Sequence, residues 1–292
     1  MNTQVTIVGN FLDKEQYRKS FNNLAYKTFG LDFEDWYKKG YLKSGYIPYA
    51  IIDEDQVVSN ISINKFEFVI EGEVKKAIQI GTVMTDENFR NRGLCAILMK
   101  YVIDKYEKNY DLIYLFANNT VLDFYPKFGF ERTLEKTYII DGKYINKKVS
   151  TIEKLDINNE KHRELINKLT TNRLPISKKL GAINDKWPLL VYCLYEFKDD
   201  LYYIPERDSI VILRREEETL HIYDIISNEL IDVDCLIESI FKEEEKVQLH
   251  FIPNTHKYKP IEGTLKEDDE ALFILKGKNL LKEWLFPITS CT

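Results

Sequence analysis

The chain is 292 residues long, 44% hydrophobic and 30% charged, which is material for one large domain or two of ordinary size. No run approaches the roughly 18 apolar residues that a bilayer span requires, and the polar start Met1-Asn2-Thr3-Gln4 lacks the apolar core of a signal peptide, so a cytoplasmic protein without a membrane partner is expected. The formal charge of −6 divides into about +1 over residues 1–150 and about −7 over the rest, which disfavours nucleic acid as a partner and suits a cationic or amine-bearing one. Cys95, Cys193, Cys235 and Cys291 lie far apart without a Cys-x-x-Cys pair, and His162, His221, His250 and His256 form no His-Glu-x-x-His. Neither a disulfide framework nor a metal site is indicated: the cysteines read as buried thiols and the histidines as surface or strand residues. The acidic clusters 216–218, 243–245 and 267–270 read as solvated turns.

In chain order, residues 13–28 mix apolar and charged positions at helical spacing, and residues 32–39 suit a short second helix. Strands follow at 49–52 and 57–63 around the turn Asp-Glu-Asp-Gln, then at 66–70, and again from Val74 into the β-branched run 76–85. Immediately after this run comes Phe89-Arg90-Asn91-Arg92-Gly93-Leu94-Cys95, and Leu94, Ile97, Leu98, Tyr101 and Val102 recur at helical spacing, so a helix begins close to Arg92. Its first N–H groups lack intrahelical partners and its dipole presents partial positive charge there. Gly93 lets a ligand approach the backbone, and two arginines add formal charge. This is the local design of a pyrophosphate-binding turn. A strand at 112–116 follows, then the segment 117–130, and the stretches 130–136 and 137–146 about Asp141-Gly142 suggest a closing hairpin.

The second half has no linker rich in Gly, Ser or Pro. Residues 160–172 look helical, the apolar stretch 188–197 favours neither state, and strands at 209–213 and 219–226 alternate about Arg-Arg-Glu-Glu-Glu. Helical 233–242 and strand 247–252 complete a strand, helix, strand order that repeats 78–116 after about 140 residues. The phosphate chemistry does not repeat: where the first copy has Arg-Asn-Arg-Gly-Leu-Cys, the second has Ser-Asn-Glu-Leu-Ile-Asp.

Two motifs together resemble a known family. Arg90, Gly93 and Cys95 stand at the fixed places of Arg/Gln-x-x-Gly-x-Gly/Ala, with Cys95 a departure that narrows the approach to the phosphates. Asn118, Phe124, Tyr125, Lys127, Gly129 and Phe130 match a second signature, Asn-x-x-x-x-x-Phe-Tyr-x-Lys-x-Gly-Phe. In this order and spacing the segment 78–130 resembles the GNAT N-acetyltransferases. The resemblance implies an α/β (α+β) GNAT fold, a mixed and mostly antiparallel sheet flanked by helices. It places an acetyl-CoA-binding catalytic domain at 1–150 and a degenerate GNAT-like, or else unrelated α+β, accessory domain at 151–292. It also implies acetyl-CoA as cosubstrate, with no metal, and an acetyl transfer to a primary amine of a small molecule or peptide.

By the same resemblance the cofactor contacts are Val83, Met84, Thr85, Arg90, Asn91, Arg92, Gly93, Leu94, Cys95, Asn118 and Lys127. The backbone at 83–85 would pair with the pantetheine arm. Tyr125 would protonate the departing sulfur, as a phenol with a pKa near 10 can at neutral pH. The general base stays open between water, a distant carboxylate and the terminal carboxylate of Thr292, since no Asp or Glu lies within 76–85. Phe33, Trp36, Tyr37, Tyr41, Tyr46 and Tyr49 either border the acceptor pocket or form ordinary packing. A CoA-binding regulator without turnover, and an aminoacyl transferase with two GNAT-like halves, are the competing functions.

Overall fold

Apolar residues three and four apart give the N-terminal segment a buried helical face, and the rest of the first sheet is built around strands that alternate. The computed structural model describes residues 6–43, 45–265 and 270–291. Strand β1 (Ile7–Gly9) leads into α1 (Glu15–Phe29), which buries Phe21, Leu24 and Ala25 and ends at Gly30 with φ +72°. The short α2 (Glu34–Lys38) follows, then β2 (Tyr46–Asp53), β3 (Gln56–Ile70) and β4 (Glu73–Thr85). Helix α3 (Leu94–Tyr106) crosses over to β5 (Leu112–Ala117), which pairs parallel with β4, so β4-α3-β5 is a β-α-β unit. The short β6 (Phe130–Thr133) comes next.

The chain then builds a second sheet. Strand β7 (Lys136–Asp141) is followed by β8 (Glu153–Lys154), α4 (Glu160–Thr170) and β9 (Leu180–Ile183). Helix α5 (Lys186–Val191) continues as a wider helical turn through Glu196, which settles the apolar stretch 188–197 as helical. After it come β10 (Leu201–Ile204), β11 (Ser209–Glu216), β12 (Thr219–Ser227), α6 (Val233–Ile240), β13 (Lys246–Leu249) and β14 (Ile261–Thr264). Strands β12 and β13 are parallel across α6, the strand, helix, strand repeat expected from the sequence. Strand β15 (Ala271–Leu275), every residue buried, returns to the first sheet.

The strand order of the first sheet is β1-β2-β3-β4-β5-β15-β6, and of the second β14-β7-β13-β12-β11-β10-β8. The expected closing hairpin over 130–146 therefore does not form. Strand β7 pairs antiparallel with β13 and β14, burying Tyr138 and Ile140, while β15 pairs antiparallel with β5 and takes the place beside it. The physical reason is burial: five consecutive apolar residues at Ala271–Leu275 fit a strand covered on both faces better than the half-polar Lys136–Asp141 does.

The two compact units follow this exchange rather than a cut at residue 150. One comprises Met1–Lys65, Lys76–Arg132 and Asp269–Asn279; the other Phe66–Lys75, Thr133–Asp268 and Leu280–Thr292. The tip of the β3–β4 hairpin belongs to the second unit, where Glu67–Ile70 pair with β9.

Within the first unit, α3 lays Leu98, Met99, Val102, Ile103 and Tyr106 against Ile61 and Ile63 of β3, Ile78 and Ile80 of β4, and Ile113 and Leu115 of β5. Each fully buried aliphatic side chain there contributes about 1.5–3 kcal/mol. Because strand residues alternate, the opposite face of β3 carries Asn60, Ser62 and Asn64, all buried. The aromatic residues of 33–49 divide: Phe33 and Tyr46 are buried, with ring centroids 5.6 Å apart, and Phe33 packs edge-on to Phe21 at 5.2 Å and Trp36 at 5.1 Å. Packing is thus the role these rings visibly fill. In the second unit, Glu244 does not belong to a solvated turn: Arg215 Nε donates to its Oε1 at 2.6 Å and Lys242 N to its Oε2 at 2.7 Å.

Candidate functional site

Strands β4 and β5 are paired only from Ala77–Ile80 against Leu112–Leu115. At Thr82 the backbone turns to φ +48°, a conformation costly for a β-branched residue. The turn re-aims the strand. In unbroken alternation Thr82 would share the α3 side of the sheet with Ile78 and Ile80; instead Val83 packs with that core and Thr82 reaches Tyr46 on the far side, Oγ1 to hydroxyl 3.2 Å. Past Ile80, β4 has no register with β5 among the described residues, so the β-α-β unit opens as a fork.

The turn after β4 is held by its own polar atoms. Asp86 Oδ1 accepts from Asn88 N at 3.0 Å, Arg90 Nε donates to Thr85 O at 3.3 Å, and Arg92 donates to Asn88 O at 2.8 Å with its guanidinium 4.7 Å from the Phe89 ring centroid. Asn91 (φ +61°) and Gly93 (φ +77°) are both left-handed, and Gly93 is the N-cap of α3 without a side-chain cap. The first intrahelical bond runs from Ile97 N to Gly93 O, 3.1 Å, leaving the N–H groups of Leu94, Cys95 and Ala96 to a ligand or solvent. A Cβ at Gly93 would meet nothing within 4 Å, so conformation and not crowding requires glycine there, and the space beside it is open. Arg90, Asn91 and Arg92 are exposed while Leu94 and Cys95 are part-buried. Burial pushes the Cys95 thiol up to about 12, so it is neutral.

Tyr125 opens a short 3-10 turn, Tyr125–Phe128, that Gly129 closes in the left-handed region. Its ring is buried against Phe124 (5.3 Å), Phe273 of β15 (5.7 Å) and Phe130 (6.3 Å). Its hydroxyl has no hydrogen-bond partner among the described residues. Burial first, and Cys95 second, raise its pKa, so the phenol keeps its proton at neutral pH. Asn118 Oδ1 accepts from Thr120 N (3.0 Å) and Thr120 Oγ1 (2.5 Å), which leaves its amide nitrogen outward. Lys127 is exposed and has no ion-pair partner among the described residues.

The structure thus joins Thr85 to Arg90 directly and sets Tyr125 near Cys95, whereas Asn118 and Lys127 sit on the exposed loop after β5. Met84 is buried, and Val83 and Thr85 are part-buried. Thr292 lies outside the described residues. What the sequence reading passed over is Thr82 with Asn60 and Ser62, and the hydrogen bonds that join them to Tyr46. The signal was the alternating Ser59-Asn60-Ile61-Ser62-Ile63-Asn64, polar residues in a strand too central for solvent. Among the described residues no three His, Cys, Asp or Glu side chains are grouped to hold a metal ion, and no helix is long and apolar enough to cross a membrane.

A glycine-capped turn opening a helix beside a forked β-α-β unit, within two mostly antiparallel sheets, makes this a mixed α/β fold. Residues 12–133 match the family model described as the acetyltransferase (GNAT) domain, so that segment is similar to the GNAT acetyltransferases. Among solved structures, a probable N-acyltransferase from Enterococcus faecalis is 18% identical with a TM-score of 0.61, the match covering 97% of this chain and 75% of that one. Eis1 from Mycobacterium abscessus is 14% identical with a TM-score of 0.57, over 91% of this chain and 73% of its own. A GCN5-related N-acetyltransferase from Kribbella flavida is also 14% identical, with a TM-score of 0.54, over 91% and 71% of the two chains. These likenesses establish the fold. No curated protein matches the chain.

Proposed function

We propose that the protein transfers an acetyl group from acetyl-CoA to a primary amine of a small molecule or peptide, in the cytoplasm, with the first unit catalytic and the second accessory. The observation that carries this reading is the Gly93-capped turn: open N–H groups at the start of a 13-residue helix, flanked by Arg90 and Arg92, with free space beside the glycine. Asn91, Leu94 and Cys95 complete the phosphate contacts, the backbone of Val83, Met84 and Thr85 pairs with the pantetheine arm, and Asn118 and Lys127 contact the cofactor from the loop. A neutral amine nitrogen attacks the thioester carbonyl carbon and the carbonyl electron pair moves to oxygen. When that oxyanion collapses the carbon–sulfur bond breaks, the thiolate takes the proton of Tyr125, and the surplus proton on the former amine nitrogen leaves through water, which restores the Tyr125 phenol. Holding both reactants in line supplies much of the rate gain.

The test is calorimetry with acetyl-CoA followed by thiol release over a panel of amines. Binding with thiol release supports the proposal. No binding sinks it, and tight binding without release on any amine favours a CoA-binding regulator instead.

A further inference from the structure

The fully buried Asn60 is the start of a directed hydrogen-bond chain. Its Nδ2 donates to Ser62 Oγ at 3.0 Å and to Thr82 O at 2.9 Å. The orientation of the amide is fixed by chemistry, because a backbone carbonyl only accepts and so must face the nitrogen. Ser62 Oγ, already an acceptor, donates to the Tyr46 hydroxyl at 2.8 Å, and the Tyr46 and Thr82 hydroxyls share a hydrogen bond of 3.2 Å, in which we take Tyr46, already accepting from Ser62, as the donor. The ring closes on one residue, Thr82, gripping both its carbonyl and its hydroxyl. Thr82 Oγ1 is then left with its own proton and no further partner for it among the described residues. Meanwhile Asn60 Oδ1 is buried without a partner among the described residues, a destabilising defect, so stability alone does not account for an amide at this position.

We infer that Thr82 is a catalytic residue, its hydroxyl proton aimed by Tyr46, Ser62 and Asn60 to donate to the thioester oxygen as it becomes an oxyanion. This rests on the acetyl-CoA reading above. Thr82 lies two residues past Ile80, the last residue of β4 in register with β5, so it stands where the fork opens. It is part-exposed, whereas the three side chains behind it are buried. Tyr46, Ser62 and Asn60 are positioning residues: none reaches the reacting atoms, and each acts through the next. The hydroxyl donates a hydrogen bond and keeps its proton, so no additional base or co-reactant is required. A preorganised donor of this kind needs no reorientation as the charge develops.

The test measures acetyl-CoA affinity by calorimetry and thiol release with hydroxylamine as the probe nucleophile. Thr82→Val, nearly isosteric and equally β-branched, is expected to lower kcat on the order of 10²-fold with acetyl-CoA affinity unchanged; Thr82→Ser restores most of the rate. Tyr46→Phe frees the Thr82 proton and lowers kcat less, and in the Thr82→Val background it has no further effect, because the aimed proton is already gone. Unchanged kcat in Thr82→Val, or losses that multiply in the double variant, overturns the inference while leaving acetyl-CoA binding intact. Failure of the wild-type chain to bind acetyl-CoA, or to release thiol when it has bound it, overturns the inference and the acetyl-CoA reading together.

Discussion

Gly93 and Tyr125 are the residues at which one atom decides an outcome. At Gly93, φ is +77° and the neighbouring space is open, so Gly93→Ala strains the turn by about 1–2 kcal/mol without blocking a ligand. Gly93→Glu adds bulk and negative charge beside the open N–H groups and is expected to abolish acetyl-CoA binding in calorimetry. Tyr125→Phe keeps the ring among Phe124, Phe130 and Phe273 and removes only the hydroxyl. It should lower turnover with little change in cofactor affinity, and unaltered turnover across the pH range would remove Tyr125 from its proposed role. Gly93 was legible as a turn residue because turn and helix start lie few positions apart and the left-handed backbone favours glycine, whereas Tyr125 was proposed from the motif resemblance alone. Thr82 was not legible: its left-handed φ and its partners Tyr46 and Ser62 depend on strand pairing across the sheet.

Elements of the second unit hide two charged assemblies that composition describes poorly. Arg173, between α4 and β9, donates from Nη2 to Asp185 Oδ2 at 2.5 Å and from Nη1 to Asp224 Oδ2 of β12 at 2.7 Å, and Thr289 Oγ1 donates to Asp224 at 2.9 Å. All four side chains are buried. Arg173→Met would strand two carboxylates without their cation and should lower stability by about 3–5 kcal/mol, read as a fall in the urea midpoint at unchanged slope. The second assembly is His221 on β12 and His250 just after β13, with Nδ1 and Nε2 3.0 Å apart and both rings stacked on Tyr223. Sequence spacing gave no hint of this pair, because parallel pairing across α6 brings residues 29 apart together.

Burial, with His221 as the lesser cause, pushes His250 down to about 4 from its ordinary 6.5. Arg214 and Glu216 also face His221, the glutamate Oε2 4.0 Å from its Nε2. Between about 4 and 6.5 the unfolded chain binds the His250 proton and the folded chain does not, so stability is lost as pH falls through that window and the loss is complete below about 4. The contribution is on the order of 3 kcal/mol. Urea unfolding at successive pH values checks it: His250→Gln should flatten the slope over that interval, and an unchanged slope refutes the assignment.

For the molecule as a whole, the order of strands matters more than their number. The β-α-β units at 78–116 and 219–252 were readable because amphipathic period and turn residues are local signals. The exchange of β7 and β15 was not, because the partner of each strand lies far away in the chain and no local signal specifies which sheet it joins. One consequence is direct: a fragment of residues 1–150 lacks the strand that lies between β5 and β6. Such a fragment should be insoluble or unstructured by circular dichroism, with the apolar edge of β5 bare. Soluble, cooperatively melting 1–150 would contradict this.

That same strand sets a clock on biosynthesis. Residues up to 133 leave the ribosome early, but their sheet waits for Ala271–Leu275. At ordinary elongation rates the delay is roughly 7–28 s. The second sheet has its strands available first, and the half bearing the Gly93 turn is completed last, so a nascent chain stalled before residue 271 would hold that turn on an unfinished scaffold.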